Sequence, residues 1–162
     1  MSNSTNPITS THSSVREADP ALNGGKLEVV FVDTGIANYQ TLEADVGAGI
    51  GIVEIDHSQS GLAQLKAWAQ SHSGYDSISV LSHGGAAQVT LGSDVLSAAS
   101  LSSASVKADL GVIGAALKAD GDFLLYGCDV ASGAAGLQFV ADLAAATAAD
   151  VEAASHRSES VV

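Results

Sequence analysis

Asp76-Ser77-Ile78-Ser79-Val80-Leu81-Ser82-His83-Gly84-Gly85 decides how the chain is read. Its apolar and small residues predict a short buried strand, and the strand runs straight into a histidine and two glycines, where a chain turns sharply. An imidazole is thus expected at the carboxyl end of a strand. Downstream, Asp122-Phe123-Leu124-Leu125-Tyr126-Gly127-Cys128-Asp129 repeats the pattern and ends in a glycine and the single cysteine. If both strands belong to one parallel sheet, their carboxyl ends share an edge, and His83 and Cys128 can meet although they lie 45 positions apart.

Working outward, the residues before Leu27 read differently from those after it. Residues 1 to 14 hold eight Ser or Thr, and both prolines, Pro7 and Pro20, fall in the first twenty positions. Such a stretch buries too little apolar surface to offset its ordering entropy, so residues 1–25 are expected to form a flexible leader. From there residues 26–155 are expected to form one α/β domain, followed by a tail at 156–162.

Within the domain, Leu27 to Val32 predicts a first strand, stopped by Asp33-Thr34-Gly35. Tyr39, Leu42 and Val46 suggest a short helix, and Ile50 to Ile55 a second strand. Leu62, Leu65, Trp68 and Ala69 share one helical face, with Ser60 placed to cap it. After His83, Gln88 to Leu91 and Asp94 to Leu96 flank Gly92-Ser93, a β-hairpin pattern. Val106, Leu110, Ile113 and Leu117 mark a long helix before the Cys128 strand, and Leu137, Val140, Leu143 and Thr147 another after it. Asp150 to Ala154 reads as a last strand.

Strand and helix alternate, so the expected fold is a three-layer α/β/α sandwich around a mainly parallel five-stranded sheet. The order 2-1-3-4-5 of flavodoxin-like sheets is expected, with the hairpin lying over the carboxyl edge.

Composition narrows the function. The chain carries 18 Asp and Glu against 6 Lys and Arg, a formal charge of −12. That opposes binding to nucleic acid or to an anionic membrane and would attract basic peptides. No run reaches the roughly 18 apolar residues of a membrane helix, so no insertion is expected. One cysteine forms no internal disulfide. His12, His57, His72 and His156 are scattered without metal-ligand spacing, and the first strand lacks a phosphate-binding glycine loop, so neither a metal nor a cofactor is expected.

A thiol beside an imidazole is the minimal apparatus of a cysteine nucleophile. A free thiol titrates near pKa 8.5, and a neighbouring imidazolium or helix start lowers that value, whereas the adjacent Asp129 would raise it. Backbone N–H groups of Gly84 and Cys128 could converge on a developing oxyanion. Asp33 at the first strand's end is a candidate for pairing with a basic substrate side chain, and equally a turn former before Thr34-Gly35.

The Ser82-His83-Gly84 element, the hairpin after it and the Gly127-Cys128 element resemble the caspase-like fold of caspases, gingipains, legumains, separases and clostripain-type peptidases. The strings Val30-Phe31-Val32-Asp33, Tyr39-Gln40-Thr41-Leu42, Leu81-Ser82-His83-Gly84 and Leu125-Tyr126-Gly127-Cys128 resemble more closely an uncharacterised domain near the N-termini of giant bacterial repeat adhesins, over about residues 27 to 154. The resemblance implies His83 as general acid/base, Cys128 as nucleophile, and the N–H groups of Gly84 and Cys128 as oxyanion hole. It also implies a secreted or cell-surface setting and a peptide or protein substrate, the parent chain among them. Arg16 and Arg157, outside Leu27 to Ala154, are the expected self-cleavage points of a peptidase that prefers arginine. The pentapeptide around Cys128 departs from that of caspases, and caspases draw part of their substrate pocket from segments beyond the fifth strand. A second reading therefore stands beside the peptidase: a catalytically silent adhesin module serving folding, secretion or partner binding. Oligomeric state is not legible.

Overall fold

The computed structural model describes residues 13–126 and 130–153. In chain order the first elements are β1 (Ser13–Arg16), a 3-10 turn at Pro20–Leu22, β2 (Glu28–Asp33), α1 (Tyr39–Ala44), β3 (Gly51–Ile55), α2 (Gly61–Ala69) and β4 (Tyr75–Leu81). Then come β5 (Gly84–Gly85), β6 (Gln88–Leu91), β7 (Asp94–Ser97), α3 (Ala98–Leu101), α4 (Ala104–Gly114), β8 (Leu117–Tyr126), α5 (Gly133–Thr147) and β9 (Asp150–Ala153).

The expectation of one five-stranded sheet in the order 2-1-3-4-5 is corrected. The described strands make two sheets, a six-stranded mixed sheet ordered β1-β3-β2-β4-β8-β9 and a three-stranded antiparallel sheet ordered β5-β6-β7. Two local causes account for the difference. First, β1 comes from the stretch read as a leader, and it pairs antiparallel with β3 through Ser14↔Val53 and Arg16↔Ile52. Low hydrophobicity hid this strand, because an edge strand is held by main-chain hydrogen bonds rather than by buried side chains. Arg16 adds side-chain anchorage, its Nε donating to the Ile50 carbonyl (2.8 Å) and Nη2 to that of Val46 (3.2 Å). Second, Gly84–Gly85 is no simple turn: it pairs with Gln88 and Val89 and extends the expected hairpin into a separate small sheet.

The helical face expected to continue through Leu117 stops earlier. α4 ends at Gly114, and Leu117 already pairs with Tyr75 at the start of β8. Gly114 is required there, because a Cβ at that position would collide with the backbone of Thr147 where α4 crosses α5.

Helices flank both faces of the mixed sheet, but the layers are unequal. One sheet face is buried under α2, α4 and α5, with Phe31, Leu65, Ile78, Leu110, Ile113, Phe123, Phe139 and Leu143 in a continuous core. Trp68 sits at its amino end, edge-on to Phe31 (5.1 Å between ring centroids) and Tyr75 (4.9 Å). α2 is started by Ser60, whose hydroxyl accepts the Ala63 N–H. Asp94 of β7 strengthens the same cap by accepting from the Ser60 hydroxyl and the Leu62 N–H. The opposite face holds a smaller cluster of Val30, Val32, Ile52 and Leu81, packed by Ile36, Tyr39, Val46, Ile50 and Tyr126. Among the described residues its only helix is the six-residue α1.

Candidate functional site

The carboxyl ends of the parallel strands meet on one edge. Asp33 pairs with Ile55, Val32 with Leu81, and Leu81 with Tyr126, so β3, β2, β4 and β8 end nearly level. His83 therefore lies two residues past Leu81, and Cys128 two residues past its partner Tyr126. Gly127, Cys128 and Asp129 lie outside the described residues, as do His12, His156 and Arg157.

The flanks of that gap are described. The Ser82 N–H donates to the Tyr126 carbonyl (3.3 Å), and the Ala87 N–H donates to the Val130 carbonyl (3.0 Å). Residues on either side of His83 are thus bonded to residues on either side of Cys128. Between them the Thr90 N–H donates to the His83 carbonyl (2.8 Å). Alternation along an antiparallel pair then places Gly84 opposite Val89 without mutual hydrogen bonds, so its N–H points away from β6. Ala87 accepts a left-handed conformation, φ 61°, to close this turn.

His83 is exposed, and its Nε2 lies 3.4 Å from the Gly35 carbonyl oxygen in the loop after β2. That carbonyl lies where it can select the tautomer with a proton on Nε2, leaving Nδ1 as the basic nitrogen.

Asp33 is placed differently from a specificity carboxylate. It is 1% exposed, one oxygen accepting the Gly35 N–H (2.8 Å) and the other the Gly92 N–H (2.8 Å). The carboxylate ties the end of β2 to the β6–β7 turn, in keeping with the turn-former reading. It has no free face for a guanidinium.

Residue-by-residue reading missed His57. Its Nδ1 stands 3.4 Å from the Asp33 carboxylate, its ring is 57% exposed, and its N–H donates to the Thr34 hydroxyl (3.0 Å). A Cβ on Gly35 would strike this ring, so Gly35 runs between His57 on one side and His83 on the other. Strand polarity is the signal that finds it, since His57, like His83, lies two residues past a parallel strand's end. Neighbouring Asp56 is held below the usual carboxylate range by the Ser58 hydroxyl and then the Ser58 N–H. Among the described residues no group of three or more His, Cys, Asp or Glu is arranged to hold a metal ion.

An α/β domain with an imidazole at the carboxyl edge of its sheet is the class this geometry defines. The chain belongs to the family described as Domain of unknown function (DUF4347), whose model matches residues 29–159. No curated protein and no solved structure matches the chain.

Proposed function

We propose that this domain is a caspase-like cysteine peptidase module of a large bacterial surface protein, with His83 as general acid/base and Cys128 as nucleophile. One observation carries the reading. The hydrogen bonds from Ser82 to Tyr126 and from Ala87 to Val130 bracket both residues, and neighbouring strands lie only about 4.8 Å apart. That close tie between the two flanks is what supports pairing His83 with Cys128.

In the proposed reaction His83 takes the thiol proton and the thiolate attacks the scissile carbonyl carbon. The N–H groups of Gly84 and Cys128 stabilise the oxyanion. Collapse breaks the C–N bond, the leaving amine takes its proton from the imidazolium, and water, deprotonated by His83, hydrolyses the thioester to restore the thiol. The Gly35 carbonyl orients the imidazole throughout. Self-cleavage after Arg16 is disfavoured, because that residue is a paired strand residue whose guanidinium holds three carbonyls of the Val46–Ile50 segment.

The test is alkylation of Cys128 by iodoacetamide at pH 6.5. An unperturbed thiol is ~1% thiolate there, and each unit by which an imidazolium lowers its pKa raises the rate about tenfold before nucleophilicity losses. Wild type should react several-fold faster than His83→Ala, and a fluorogenic peptide pool should be cut by wild type but not by Cys128→Ala. Equal alkylation rates and uncut peptides would leave the silent-module reading, which the sheet face left partly open by the described residues independently favours.

A further inference from the structure

The mixed sheet leaves a groove of about 830 Å³ open beside α1. Its floor includes Leu81, Leu124 and Tyr126, and its wall includes Leu42, Val46 and Ile50. Leu42 is an exposed apolar residue, and Leu124, although on a central strand, is only partly buried. Parallel sheets are normally covered on both faces, so an interior strand that the described residues leave partly open is an unfinished layer.

Two features say what completes it. The first is width. From β2 across β4 and β8 to β9 there are three strand spacings, about 14 Å, which admits one helix of ~10–12 Å diameter with its side chains. The second is charge. Glu28 and Asp45 line the groove, and strand alternation puts Asp122, Asp150 and Glu152 on the same face. No Lys or Arg is among the lining residues. Tyr126, at the floor, has its phenol pushed up by burial and then by Glu152 and Glu28, in keeping with these carboxylates lying around it.

We infer that this face docks a basic amphipathic helix from a partner polypeptide, apolar stripe on Leu81, Leu124 and Tyr126, Lys and Arg along both rims. A second copy of this chain is a poor occupant, since its matching face would set carboxylates against carboxylates. The chain's own undescribed segments also lack the charge: residues 1–12 contain no Lys or Arg, and residues 154–162 contain only Arg157 beside Glu159. The inference does not depend on an active dyad, and its test reads binding rather than reactivity.

The probe is a fluorescein-labelled helical peptide of about 18 residues, ~27 Å long, with a Leu stripe flanked by Lys, and its counterpart with Glu in place of Lys. Anisotropy with the full 162-residue chain should show the Lys peptide binding at least about tenfold tighter than the Glu peptide, a difference of ~1.4 kcal/mol. Leu124→Arg should weaken it about tenfold, and exposed Glu152→Lys, which leaves the core untouched, about threefold. Asp142→Lys, on α5 across the sheet, should change it less than either, with folding of each variant checked by circular dichroism. No binding of the Lys peptide, or equal weakening by Asp142→Lys and Glu152→Lys, would overturn the inference. So would a dimer in sedimentation that Leu124→Arg dissociates, or a tenfold gain in peptide affinity on deleting residues 154–162, because each names another occupant.

Discussion

Replacing Asp33 by alanine removes a buried carboxylate that joins two sheets. Its two oxygens each take a backbone N–H at 2.8 Å, from Gly35 in the loop under His83 and from Gly92 in the β6–β7 turn. Hydrogen bonds to a charged acceptor contribute about 1.5–3 kcal/mol each, and an N–H left buried without an acceptor costs about 1–3 kcal/mol. The Gly92 bond is fully buried and the Gly35 bond partly so, which places the expected loss for Asp33→Ala at about 3–5 kcal/mol. His57, at 3.4 Å and more than half exposed, adds little. Asp33→Asn should fall between: its amide oxygen keeps one N–H, while its NH2 meets the other donor to donor, a loss of about 2 kcal/mol. Urea unfolding followed by the fluorescence of Trp68, the single tryptophan and a core residue, reads all three proteins. The expected order is wild type, Asn, Ala. Loss under about 1 kcal/mol in Asp33→Ala would refute the tie. A changed preference for arginine substrates at unaltered stability would restore the specificity role.

Two further outcomes follow from the same edge and the face behind it. Glu43 has its pKa raised by burial and then by Glu54, and its Oε2 is buried without a hydrogen-bond partner among the described residues. A raised folded-state pKa means stability is full below the unfolded value near 4.5 and falls as pH rises through the folded value; Glu43→Gln should therefore match wild type at pH 4 and exceed it by about 0.5 kcal/mol at pH 7 in urea titrations. Gly92→Ala, at φ +60° with its new Cβ against the Gln59 carbonyl, should cost about 2 kcal/mol or more by thermal unfolding, while Gly74→Ala, at φ +75° in open space, should cost ~1 kcal/mol; equal costs would mean the turn is not wedged against the loop.

Legibility followed burial. Val29 to Val32, Ile52 to Ile55 and Ile78 to Leu81 are readable as strands because they are mostly apolar runs between turn residues, and all their side chains except Glu54 and Ser79 are buried. β1 was not readable, since its pairing with β3 rests on main-chain bonds and a bulge between Ser14 and Arg16. Gly84–Gly85 reads as a turn because glycine carries no pattern of its own, and only pairing with Gln88 and Val89 makes it a strand. At the site, the placement of His83 followed from strand polarity alone. The fate of Asp33 did not, because Gly92, the donor to its second oxygen, is 59 residues away. The second sheet face was misjudged for a related reason: alternation identifies a non-core face but not whether a helix covers it.

The small β5-β6-β7 sheet bears on whether the edge was built for chemistry. Gly92 fits without a side chain against the backbone of the loop before α2, Asp94 caps α2, Asp33 reaches Gly92, and Thr90 holds the His83 carbonyl. These ties fix the backbone on both sides of His83 by regular structure instead of leaving it in a free loop. A general base needs such placement, since a displacement of about 1 Å can cost ~10²-fold in rate. A module that only docked a helix on its acidic face would need β2, β4 and β8, none of which requires Ser82 and Ala87 to hold both flanks of Cys128. The proposed docking groove and the proposed catalytic edge thus make separate demands on the fold, and they can be tested separately. Leu124→Arg should weaken peptide binding about tenfold while leaving Cys128 alkylation unchanged; His83→Ala should slow alkylation and leave binding unchanged.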